Sequence, residues 1–210
     1  RKTYRFFEGG PLAASDVLDL LRHDVDPDRP STRVEDVDPA RLGAVLRNFG
    51  QFHSDQRILP KYAYASPGAL YATQLYVEVA GIPGLPSGIH YHHPVRHELV
   101  LVAPVGDPEV GPRLRVHLLG KRSAIEAVYR NNVLEVLRIE AGHMLGLFDE
   151  VLPEEGLGLG ATTFDPAVPR LLHASEDHHY LGGYDVVPFA ERVDPGPLDT
   201  YVQAHPDRIA

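Results

Sequence analysis

No cysteine occurs among the 210 residues, tryptophan is also absent, and methionine appears once, as Met144. Without cysteine there is no disulfide framework, zinc–thiolate site, iron–sulfur cluster or Cys nucleophile. No apolar run approaches the roughly 18–20 residues of a membrane-spanning helix. The opening Arg1-Lys2-Thr3-Tyr4-Arg5 lacks the apolar core of a signal peptide. Positive charge is scarce. Twenty Lys and Arg against 29 Asp and Glu leave a formal charge of -9, which argues against binding nucleic acid through its phosphates. The basic residues do gather at the start, where Arg1, Lys2 and Arg5 are either a phosphate-binding cluster or a solvated terminus.

What is present is the balance of a soluble globular protein, 43% hydrophobic and 23% charged, in a length that suits one domain with a real core. Absence of cysteine is compatible with the cytosol, and a cytoplasmic protein is expected. The chain does not begin with Met. It reads as a piece of a longer polypeptide or as a product from which a tag was removed.

Hydrophobic spacing sets the coarse organisation. Val17, Leu18, Leu20 and Leu21 suggest a helix over 12–22, followed by a polar loop over 23–37. Asp38-Pro39 reads as an N-cap and first helical position, with Leu42, Val45, Leu46 and Phe49 at helical spacing and Gly50 as a stop. Strands are expected over 75–80, 88–94, 97–103 and 113–119, with a turn over 81–88 and a hairpin around Pro94-Val95-Arg96. Ser123 and Glu126 have capping-box spacing, so the longest helix is expected to start near Ser123 and run to Glu150. Glu140 falls on its apolar stripe and therefore needs a partner, for which a hydrogen bond to nearby backbone is the expectation. Residues 178–189 look like a last strand broken at Gly182-Gly183, and 191–210 like a tail. Helices, strands, a long helix and strands again argue for α+β rather than an alternating βαβ domain.

Three features carry candidate chemistry. The segment Lys61 to Tyr76 combines small residues (Ser66, Gly68, Ala69), hydrogen-bonding side chains (Ser66, Gln74) and many tyrosines. Such a mixture suits close approach to a flat ligand, and equally suits a Gly-containing turn before a strand. Gly156-Leu157-Gly158-Leu159-Gly160 lacks the G-x-G-x-x-G spacing of a dinucleotide fingerprint and reads as a glycine-rich turn that could lie against a cofactor. His90 and His92 would share a strand face, with His93 and His97 nearby. No carboxylate stands at a recognised metal-ligand spacing, so the expectation is a solvated hairpin without a metal.

Taken together, these motifs resemble the nitroreductase-like azoline oxidases, and within them the oxidase domains of nonribosomal peptide synthetases. Ser66-Pro67-Gly68-Ala69-Leu70-Tyr71, with Gln74 and Tyr76, is similar to the family's central serine motif. The segment Gly84 to His97 resembles its hairpin. Ile125 to Gly160, including Tyr129 and Glu140-Ala141-Gly142-His143-Met144, resembles its long helix, and Arg1-Lys2-Thr3-Tyr4-Arg5 its opening. The family usually has proline before the serine and after the tyrosine; this chain has Ala65 and Ala72, with proline at Pro67.

The resemblance implies a nitroreductase-like FMN-binding fold of the α+β class over residues 1–190, an antiparallel sheet flanked by helices, working as a homodimer. It implies that Arg1, Lys2, Thr3 and Arg5 hold the FMN phosphate and ribityl chain, while Ser66, Gly68 and Gln74 face the ring. Lys61-Tyr62 matches a Lys-Tyr pair given the role of base when an azoline is oxidised. Tyr129, Asn131 and Asn132 are weaker candidates for the substrate side. The implied substrate is a carrier-bound thiazoline or oxazoline. A close variant would oxidise tethered glutamine or its cyclised imide toward a blue pigment, as indigoidine-type synthetases do. Alternatives are a freestanding azoline dehydrogenase, an NAD(P)H-dependent nitroreductase, or a non-catalytic flavin-fold docking module.

Overall fold

The computed structural model describes residues 29–52, 61–104 and 111–193, and all but Arg29 belong to one unit, Pro30–Val193. The expected helix over 12–22, the basic opening and the tail beyond 193 lie outside the described residues. Asp38 caps the first described helix as expected: its carboxylate accepts from the Arg41 N–H at 2.8 Å, and Pro39 opens α1 (Pro39–Arg47). Its apolar stripe of Leu42, Val45 and Leu46, continued by Phe49, is buried. Each such side chain contributes roughly 1.5–3 kcal/mol by leaving water.

Six strands follow: β1 (Thr73–Ala80), β2 (Gly88–His93), β3 (Glu98–Ala103), β4 (Arg113–Lys121), β5 (Leu157–Thr163) and β6 (His178–Pro188). They form one sheet in the order β3-β2-β1-β4-β6-β5, with every neighbouring pair antiparallel. Three helices interrupt them: one-turn α2 (Glu126–Tyr129), the long α3 (Val133–Val151) and short α4 (Ala167–Leu171). None of the described helices is long and apolar enough to cross a membrane. Successive strand residues point to opposite faces. Leu75, Val77 and Val79 of β1 and Leu114, Val116 and Leu118 of β4 therefore share one face, and they join α1 and α3 in the main core. Phe49 stacks on Phe148 of α3 with ring centroids 4.0 Å apart.

The alternate residues build a polar network on the other face. Glu78 accepts from Arg113 at 2.9 Å and from His117 Nε2 at 3.0 Å. On its other side, His117 Nδ1 shares a hydrogen bond with the Tyr180 hydroxyl at 3.0 Å. Arg115 pairs with Asp185 across the β4–β6 register at 2.6 Å. Burial pushes the Glu78 carboxyl upward. The hydrogen bonds from His117 and Arg113, with the charges of His117 and Arg115, outweigh this and hold it at about 2. Gly183 makes the arrangement fit, because a Cβ there would lie 2.8 Å from both His117 Nδ1 and the Tyr180 oxygen. Gly182-Gly183 lies within β6, and the expected break takes the form of a register shift beside it: Leu118 faces Gly182 whereas Leu119 faces Tyr180.

Three expectations need correction. The long helix starts at Val133, ten residues after Ser123. Ser123 is no helix cap: its N–H and hydroxyl both donate to Asp177, at 2.7 and 2.6 Å, and Glu126 pairs with Arg122. Of Gly156–Gly160, all but Gly156 lie in strand β5 rather than in a turn. Gly156 ends the preceding turn in the left-handed region (φ 72°), and 157–163 pairs with β6. Gly158 leaves room for Arg192, whose Cβ would lie 2.6 Å from an added Cβ. The hairpin histidines are not solvated, since His90 and His92 are 3% and 2% exposed. They stand opposite Leu101 and Leu99 of β3 and share the helix-facing side of the sheet with Val77.

Gly183→Ala is expected to lower stability by about 1–3 kcal/mol in urea unfolding, through overpacking against His117 and Tyr180. Glu78 supplies about 3 kcal/mol at neutral pH, from a shift between 4.5 and about 2. That contribution is complete above pH 4.5 and is lost as pH falls toward about 2, the value in the folded protein. Glu78→Gln should flatten the stability profile across this window; an unchanged profile would remove Glu78 as its source.

Candidate functional site

The segment before β1 is built around Ser66. Its hydroxyl oxygen accepts from the Tyr71 N–H at 2.8 Å, and its carbonyl accepts from the Ala69 N–H at 3.0 Å. These bonds hold a loop in which Gly68, Ala69 and Tyr71 all have positive φ (66°, 56° and 50°). Left-handed backbone at two non-glycine residues is strain of the kind that collects at functional sites. Beneath the loop, Thr73 donates its N–H and hydroxyl to Glu140 Oε2 on α3, at 2.7 and 2.6 Å. This is the backbone partner expected for Glu140. Its Oε1 is buried with no hydrogen-bond partner among the described residues. One turn along α3, His143 Nδ1–H donates to the Ala65 carbonyl at 2.9 Å.

Where this loop meets β2 and α3 lies a cleft of about 190 Å³. Tyr62, Tyr71 and Tyr91 line it, as do Gln74, His92 and Lys121. Tyr62 and Tyr71 have ring centroids 4.2 Å apart, and Tyr64 meets Tyr71 edge-on at 5.7 Å. Burial, with Tyr91 adding, pushes the Tyr62 phenol above its ordinary range; burial and the nearby Glu140 charge raise Tyr64 further. Both therefore stay protonated at neutral pH. The volume falls below the roughly 300–1,000 Å³ of typical ligand clefts, so the described residues accommodate one planar ring system rather than a whole nucleotide.

Of the residues singled out from sequence, Tyr62 and Gln74 line the cleft. Gln74 Oε1 accepts from the Tyr76 hydroxyl at 3.2 Å, which leaves its amide N–H groups as donors. Half-buried Lys61 adjoins Tyr62, and its backbone pairs in both directions with Phe52. Ser66 and Gly68 shape the loop over the cleft without lining it. Tyr129 packs against Ala72, Ile125, Val133 and Leu137, and its hydroxyl lies 3.1 Å from where a Gly68 Cβ would sit. Asn131 and Asn132 are exposed on the turn before α3. Arg1, Lys2, Thr3 and Arg5 lie outside the described residues. Sequence reasoning missed Tyr91, His92, Lys121 and Phe49 as cleft residues, because they come from segments far apart in the chain. The alternation through β2 was the one signal available for His92. Among the described residues no group of three or more His, Asp or Glu is placed to hold a metal ion.

This sheet, with its helices and its cleft at the loop before β1, is a nitroreductase-like α+β fold. Solved structures that share it include the following three. A provisionally named nitroreductase from Anabaena variabilis matches with TM-score 0.61 and 19% identity, over 75% of this chain and 37% of that one. The E. coli microcin synthetase McbBCD complex with truncated pro-MccB17 bound matches with TM-score 0.61 and 15% identity, over 89% of this chain and 77% of that one. A provisionally named nitroreductase from Ralstonia eutropha matches with TM-score 0.56 and 16% identity, over 91% and 88%. In sequence, the whole chain is 47% identical to a segment of the indigoidine synthase of Streptomyces lavendulae and 43% identical to one in that of Dickeya dadantii. It spans 16% and 14% of those proteins' lengths. No protein-family model matches the chain.

Replacing Glu140 by Ala removes two hydrogen bonds to a charged acceptor and leaves the Thr73 N–H buried without a partner. It should destabilise the protein by about 2–4 kcal/mol, with Thr73→Val costing about 1–2 kcal/mol, both read from urea midpoints. A Glu140→Ala protein within about 0.5 kcal/mol of wild type would contradict this anchor.

Proposed function

We propose that the chain is an FMN-dependent oxidase domain of a nonribosomal peptide synthetase, acting on a carrier-bound amino acid or its cyclised form. The observation that carries this is the tyrosine-walled cleft formed by the 62–74 segment on a nitroreductase-like sheet. The relatives named indigoidine synthase favour tethered glutamine or its cyclised imide over a thiazoline or oxazoline. The working unit is a homodimer in this reading, and the substrate arrives on a carrier domain.

The cleft fits the ring end of FMN. The Gln74 amide is a donor suited to ring carbonyls and nitrogens, the tyrosines offer planar faces, and Ser66 contributes by holding the loop above them. The phosphate end falls to Arg1, Lys2, Thr3 and Arg5. FMN supplies a two-electron acceptor for the hydride leaving the substrate. The protein supplies the proton transfer and the positioning. Lys61 Nζ, as the neutral amine, would take the proton from the substrate carbon. Tyr62, held as a phenol by burial, would offer its hydroxyl as a donor to the bound ring. The aromatic walls narrow the access of water.

Purified protein is expected to be yellow and to release FMN on denaturation. A colourless protein that takes up no added FMN overturns this reading in favour of a docking module. Offered carrier-bound glutamine, carrier-bound thiazoline and NADPH separately, the FMN-loaded protein should be reduced fastest by the glutamine substrate. Fastest reduction by NADPH would identify a nitroreductase instead. Lys61→Ala should slow turnover about 100-fold; unchanged turnover excludes Lys61 as the base.

A further inference from the structure

His92 stands out among the cleft residues because nothing among the described residues explains its chemistry. It is 2% exposed, and its Nε2 has no hydrogen-bond partner among the described residues. A buried polar atom left in this way costs roughly 1–3 kcal/mol, a penalty removed when a ligand pairs with it. Burial, with the neighbouring His97 and His93 adding, lowers its pKa to about 4. The ring is therefore neutral at physiological pH, and by choice of tautomer Nε2 either donates or accepts. A neutral ring does not select for an anion.

His92 borders two cavities. The second, of about 180 Å³, is walled by Leu42, Leu46, Leu85 and Leu99 together with His97 and Glu98, and has no tyrosine wall. The first offers tyrosine faces and the Gln74 amide, which together suit a flat ring carrying both a donor and an acceptor. We propose that His92 is the residue with which the aromatic cleft recognises a planar –CO–NH– group, its Nε2 hydrogen-bonded to a ring amide or imide. The proposal rests on the function proposed above and narrows the ligand chemistry of that site. Two molecules in that reading carry such a group: a cyclised glutamine substrate and the pyrimidine edge of the flavin.

The test uses the full chain with imidazole nitrogens labelled with 15N, the His92 signals being assigned by their loss in His92→Gln. Glutarimide is titrated into FMN-loaded and FMN-depleted protein, and FMN into depleted protein. The Nε2 resonance should move in at least one titration. Movement with glutarimide on loaded protein identifies the substrate as the source, and movement on FMN addition alone identifies the cofactor. A resonance that moves with neither overturns the proposal. His92→Phe should weaken binding of the active probe about 5-fold or more, with His92→Gln within about 3-fold of wild type. Equal affinities across the three proteins would overturn it as well. If FMN fails to bind at all, the flavin reading falls, while the glutarimide titration still decides the role of His92.

Discussion

The paired hydrogen bonds from Thr73 to Glu140 are the constraint on which the rest of this unit depends. They join the first residue of β1, the strand next to the sheet's centre, to the middle of α3 across 67 positions of sequence. A buried carboxylate is costly unless it is hydrogen-bonded. The carboxylate therefore tolerates only a narrow range of helix heights above the sheet. Once that height is set, His143 reaches the Ala65 carbonyl and Met144 reaches the wall of the cleft. The strained loop between Ala65 and Thr73 is thus tied to one helix at both ends. Its left-handed residues are held by these anchors together with the two bonds to Ser66.

The two faces of the sheet solve different problems. The helix-facing side is apolar and gains its stability from area removed from water. The other side buries Glu78 and His117 and meets the cost by pairing them with Arg113, Arg115 and Tyr180. A single glycine, Gly183, provides the space for that pairing. The cleft opens where the face alternation of β1 and β2 gives way to loop. Residues from both sides, Gln74 and Tyr91 as well as Leu75 and His92, therefore contribute to its walls.

Much of the architecture was legible in the chain. Asp38-Pro39, the strand patterns and the α+β order follow from local rules, and local rules describe those segments. Glu140 was legible too, because a carboxylate on an apolar stripe calls for a partner, although Thr73 could not be named from it. The long helix was misplaced because Ser123 and Glu126 have the right spacing for a cap while Ser123 is claimed by Asp177, 54 residues away. The glycines at 156–160 read as a turn because composition does not distinguish flexibility from close packing against Arg192 and β6. The cleft itself was half legible. Tyr62 and Gln74 belong to a recognisable motif, whereas His92 and Tyr91 join them only through the pairing of β2 with β1.

That pairing gives the hairpin a further property. Along β2, imidazoles at 90 and 92 alternate with Ile89 and Tyr91, and the ladder to β3 already carries an irregularity at Ile89/His90. Side chains on a strand swap faces when the register moves by one residue. Inserting or deleting a single residue in the tip at Pro94-Val95-Arg96 would therefore change more than loop length, if β2 took up the slip. It would turn the buried imidazoles away from the helix-facing side and bring a phenol onto it, without altering any residue in β2.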